Sequence, residues 1–130
     1  MVTATIATQV SIRGTNPVSI SNFLEVGEVI KERVHLSEDP KHIDTFTLPK
    51  SNLKMILVKK IDNNYLPPSK VIKYRFNNVR SEPWIPLDGP LLVFEENLIR
   101  SLRSKLKSLY FKNESRREEA IDILLATDNV

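Results

Sequence analysis

The side chains capable of chemistry are few in this sequence and stand far apart. There is no cysteine, and the two histidines, His35 and His42, lie seven positions apart with Glu38, Asp39 and Asp44 around them. Zinc sites draw on closer or more regular spacings of His, Cys and carboxylate, so this stretch reads as a solvated loop. Glu95 and Glu96 are adjacent, and adjacent residues on a strand point to opposite faces, which makes them poor partners for acid–base work. Phosphate-cradling loops need clustered glycines, but Gly14, Gly27 and Gly89 are scattered. No Ser, His and acid fall in an order that spacing alone could make a triad. The expectation is no catalytic residue, no metal ligand set and no cofactor, in a protein that holds macromolecules rather than transforming them.

Two stretches have the chemistry of binding. The first is basic: Arg100, Arg103, Lys105, Lys107, Lys112, Arg116 and Arg117, with Glu114 the sole acid among them. Residues 1–58 hold six cationic and six acidic side chains, and residues 59–130 hold thirteen and ten, so the net charge of +3 comes from the second half. Phosphates need Lys and Arg on one surface, and single-stranded targets add aromatics that stack on bases. Tyr110 and Phe111 lie in the stretch. The competing reading is a solvated face, because charges opposite a leucine face are what water requires; an acidic protein is the other possible contact. The second stretch is uncharged. Val2, Thr3, Ala4, Thr5, Ile6, Val10 and Ile12 belong to eleven residues without charge before Arg13. Left open, such a segment is a sheet edge in search of a partner.

The elements that must position these residues are mostly strands. Ala4, Ile6, Thr8, Val10 and Ile12 alternate at period two, and the turn formers Gly14, Asn16 and Pro17 follow. Residues 23–36 suit either a helix or a strand, and their β-branched side chains favour strand. Thr45–Leu48 and Leu53–Ile61 read as strands. Val71–Asn77 reads as a strand with Ile72, Tyr74 and Phe76 on one face, paired with the preceding one in a long-looped hairpin. Trp84 lies among prolines that argue against a central strand and reads as a core or sheet-edge anchor. Leu91–Phe94, Lys107–Lys112 and Ala120–Thr127 complete the strands. Leucines 98, 102, 106 and 109 are spaced for a short helix over about 97–106. Ile56, Val58, Ile72, Tyr74, Phe76, Leu92, Phe94, Leu109, Phe111, Ile123 and Leu125 are the expected core.

Short strands between turns, with at most one or two short helices, predict an all-β fold: an antiparallel β-sandwich or a jelly-roll-like barrel. A chain of 130 residues predicts a single domain over 1–130, with 1–14 as an N-terminal arm or an edge strand. The 41% apolar and 27% charged fractions exclude a disordered composition. No apolar run reaches the roughly 20 residues of a membrane-spanning helix, and no basic n-region opens a signal peptide. Synthesis in the cytoplasm is expected.

Met55 to Val58, Val71 to Phe76, Trp84 to Leu87 running into Leu91 to Phe94, Leu109 to Phe111 and Ile121 to Leu125 follow one another in a small cysteine-free chain. This order resembles the compact β-sandwich virion proteins of tailed bacteriophages, over about residues 55–126. The resemblance implies a non-enzymatic component of the particle: a capsid cement (decoration) protein, or a tail or neck protein. It also implies association with a major capsid or tail protein and a homo-oligomer, a trimer being one option. The alternative is a small nucleic-acid-binding β domain that uses residues 100–117.

Overall fold

The computed structural model describes residues 2–10, 13–14, 16–49, 52–61, 72–76, 83–94 and 108–128. Ten strands are found there: β1 (Val2–Val10), β2 (Val18–Val26), β3 (Glu28–Leu36), β4 (Ile43–Thr47), β5 (Asn52–Lys60), β6 (Ile72–Arg75), β7 (Ile85–Pro86), β8 (Leu91–Val93), β9 (Ser108–Asn113) and β10 (Glu119–Asp128). The described residues contain no helix, and the expected helix over 97–106 lies outside them. The strands form a two-stranded sheet, β1-β2, and two four-stranded sheets, β3-β10-β5-β8 (front) and β4-β9-β6-β7 (back). Every pairing is antiparallel. The four-stranded sheets pack face to face as an open sandwich, not a closed barrel.

The core lies between them. Val34, Ile121 and Lys60, then Leu125 and Ile56, stand in register across the front sheet. Ile56, Val58, Ile121, Ile123 and Leu125 meet Ile72, Leu109 and Phe111 from the back sheet in one cluster, all at most 1% exposed. Side chains of this size each contribute about 1.5–3 kcal/mol on burial. Strand β10 is central in the front sheet, and both of its faces pack against apolar clusters. Ile121, Ile123 and Leu125 enter the main core, while Leu124 and Ala126 join a second cluster. That double coverage explains its nearly unbroken apolar run, as expected for a strand buried on both faces. The β10–β5 register shifts as Ala126 pairs with Met55 and Thr127 with Leu53, leaving Lys54 as the extra residue. The shift lets Leu53 and Ile56 enter the main core while Met55 enters the second cluster.

The structure departs from the sequence expectations at three points. The run 23–36 is neither one helix nor one strand: Gly27 divides it into β2 and β3, and the strand at 18–26 was not anticipated. β5 and β6 do not pair. They lie in different sheets, because the apolar faces carrying Ile56 and Ile72 are satisfied by meeting across the core. Leu92 and Phe94 pack against the second cluster instead of the main core, where Val93 takes the inward position. Trp84 is half-buried beside the edge strand β7, which is the sheet-edge option of its reading and not the core one. The proline expectation corresponds to β7, whose Ile85–Pro86 pair ends the back sheet.

Candidate functional site

The N-terminal segment pairs within the chain, as one strand of a two-stranded hairpin, here called the arm. β1 and β2 pair over nine positions, from Val2 opposite Val26 to Val10 opposite Val18, and neither strand joins a four-stranded sheet. At about 3.4 Å per residue the arm is roughly 30 Å long. Its tip turns through Gly14, whose φ of +87° is easy for glycine and costly for residues with a Cβ. Its foot is seated. Ile6 and Val26 are buried with Met55 and Ala126, and Leu24, Leu92, Phe94 and Leu124 pack around them. The Gly27 amide donates to the Thr127 carbonyl at 2.8 Å, and the Lys54 ammonium donates to the Glu25 carbonyl at 3.3 Å. The other face is open: Thr3, Thr5, Ala7, Gln9, Ser19, Ser21, Phe23 and Glu25 are exposed. Phe23, at 73%, is the most exposed large apolar side chain among the described residues.

The basic stretch is divided. Arg100, Arg103, Lys105 and Lys107 lie outside the described residues, as does Ile12 of the N-terminal segment. Lys112 lies on β9, and Arg116 and Arg117 occupy the turn after it. That turn is braced by Asn113, which is fully buried. Its side-chain amide donates to the carbonyls of Ser37 at 3.2 Å and Arg117 at 2.7 Å. Its side-chain oxygen accepts from the Ser115 amide at 3.0 Å and the Ser115 hydroxyl at 2.7 Å. The bracing accommodates Arg116 at φ 60°, a left-handed conformation uncommon outside glycine, Asn and Asp. Arg117 faces Glu119 at 3.7 Å.

Lys112 has neighbours that sequence reasoning did not single out. On the outer face of the back sheet Lys112 stands opposite Lys73, and Tyr110 stands opposite Arg75. Glu114 reaches both lysines, at 3.0 Å from Lys73 and 3.5 Å from Lys112. The hydrogen bond from Lys73 leads in holding the Glu114 carboxyl below its ordinary pKa; partial burial opposes it, and Lys112 adds to the lowering. The Arg75 guanidinium lies 4.2 Å from the centroid of the Trp84 ring, and the Lys112 ammonium 6.0 Å from it. A signal for this face was present in β6, where Lys73 and Arg75 alternate with Ile72 and Tyr74.

The histidine region closes a turn. Asp44 accepts the Ser37 amide at 3.1 Å and lies 3.5 Å from the His42 imidazole. His35, Glu38, Asp44 and Glu118 line an open cleft of about 380 Å³. No group of three or more His, Asp or Glu side chains among the described residues could hold a metal ion. No helix among them is long and apolar enough to cross a membrane. The chain matches no family model, no curated protein and no solved structure.

Proposed function

We propose that this chain is a non-enzymatic structural subunit of a phage particle, which binds and stabilises a capsid or tail assembly by sheet-edge and arm contacts. The observation that carries the reading is the arm. It is a nine-pair hairpin outside both sheets of the sandwich, rooted by Ile6 and Val26 and exposing Phe23 on its open face. A β1 edge without charge can extend a neighbour's sheet by main-chain hydrogen bonds, with side chains such as Phe23 supplying specificity. The rigid sandwich is the body that the arm attaches to the assembly. The choice of a virion rests on the resemblance in size, composition and strand order. Homo-oligomerisation fits a subunit whose arm can pair with a copy of itself, since closed symmetric assemblies are the usual outcome.

Sedimentation of the full chain tests the reading. The parent should form discrete oligomers, or co-sediment with particles built from the capsid or tail protein encoded beside it. Thr5→Lys with Phe23→Ser should abolish both while leaving the melting temperature unchanged, because both side chains are exposed. A parent that stays monomeric at all concentrations and binds no such particle sinks the proposal.

A further inference from the structure

We propose that the outer face of the back sheet is a binding site for single-stranded nucleic acid, with Trp84 and Tyr110 as stacking surfaces and Lys73 and Lys112 as phosphate contacts. The register builds this face in two rows. Ile43, Lys112, Lys73 and Pro86 form one, and Thr45, Tyr110 and Arg75 form the next, with Trp84 against Arg75. Neither row contains a carboxylate. The front sheet is arranged differently: on its outer face Asp122 stands between Arg33 and Lys59 in register and bonds Arg33 at 3.0 Å.

Folding alone does not favour two lysines directly opposite one another on neighbouring strands, since like charges in that position repel. Among the described residues they share one carboxylate, Glu114, which leaves the row cationic. Phosphates are the complement of such a row. The aromatics decide which polyanion. A duplex hides the faces of its bases, so the indole and phenol offer it no stacking surface. Unpaired bases stack on such rings. Arg75 holds the indole at 4.2 Å, so the ring is positioned before a ligand arrives. The site differs from the basic run read along the sequence: of that run it uses Tyr110 and Lys112, and its other members come from β6 and the segment before β7.

Trp84 is the sole tryptophan, so its fluorescence reports on the site in the intact, unlabelled chain. Titration with an oligodeoxythymidylate at low salt should quench it. Lys73→Gln with Lys112→Gln should weaken binding and reduce the slope of log affinity against log salt by about 1.4, at about 0.7 per single-strand phosphate contact. Glu114→Gln should tighten binding, because it releases both lysines; a misfolded variant could not mimic this gain. Absence of quenching at low salt overturns the proposal. So does weaker binding by Glu114→Gln, equal affinity for a blunt duplex, or equal quenching by polyglutamate.

Discussion

β2 and β3 are two halves of one extended run of chain, separated by Gly27, and their edges have opposite character. β3 ends the front sheet among the described strands and carries Glu28, Lys31, Glu32 and Arg33, all exposed. Suppose it paired antiparallel with its own copy. In the register centred on Glu32, Glu32 would meet itself and Lys31 would meet Arg33; moved one place either way, Lys31 or Arg33 would meet itself. Each option sets like charges face to face, which opposes pairing. β1 bears no charge from Val2 to Val10, and centred on Ile6 it opposes no charges at all. The contrast is between two edges: β3 is guarded by charge and β1 is not. The proposed association through the arm rests on this difference.

Three perturbations would break or sharpen this contrast. The largest effect falls on packing. Leu36, at the end of β3, and Val26, at the foot of the arm, are both 1% exposed. Leu36→Ala should cost about 2–5 kcal/mol in urea unfolding, as a cavity in the main core. Val26→Ala should instead loosen the arm, seen as faster amide exchange in β1 and β2 with sandwich protection unchanged. If it lowers global stability as much as Leu36→Ala does, arm and sandwich are one cooperative unit and the contrast fails.

A smaller effect is expected from removing the guard. Lys31→Thr with Glu32→Thr should leave the melting temperature near that of the parent but add a new, concentration-dependent association through β3. Light scattering indistinguishable from the parent would show that charge is not what protects that edge. The smallest effect concerns pH. The hydrogen bond from Arg33 holds the Asp122 carboxyl below its ordinary pKa, with the charges of Arg33, Lys31 and Lys59 adding and desolvation opposing. Folding therefore favours the ionised form. The stabilisation is complete above the ordinary carboxylate range and is lost as pH falls through the lowered native value. The parent should be slightly more stable than Asp122→Asn at neutral pH, and the two should converge under acid. A gap that widens in acid would contradict the pairing.

Period-two alternation made most of the fold legible: Ile72 and Tyr74, Leu109 and Phe111, and Ile121 and Ile123 announce strands with one face turned inward. Pairing partners were not legible, because alternation reveals which face is buried and not which strand lies alongside; β5 and β6 show this by lying in opposite sheets. The second strand of the arm escaped notice because Ser19, Ser21 and Asn22 dilute the β-branched signal of Val18 and Ile20. The cationic aromatic face was hidden for a different reason. Lys73, Trp84 and Lys112 are distant in sequence, and only the back-sheet register brings them together. Charge density along the chain points to 100–117, from which that face takes Tyr110 and, among the described cations, Lys112.

Gly27 has a mechanical consequence. It joins the arm to β3 through one residue, whose amide is tied to Thr127, and β3 is held to β10 by nine register pairs. Tension drawn along the strand axis would therefore load that ladder in shear, with its bonds sharing the force at once instead of peeling in turn. A pull on the arm would strain the chain where it is best fastened, and would disturb the main core only after the ladder gave way.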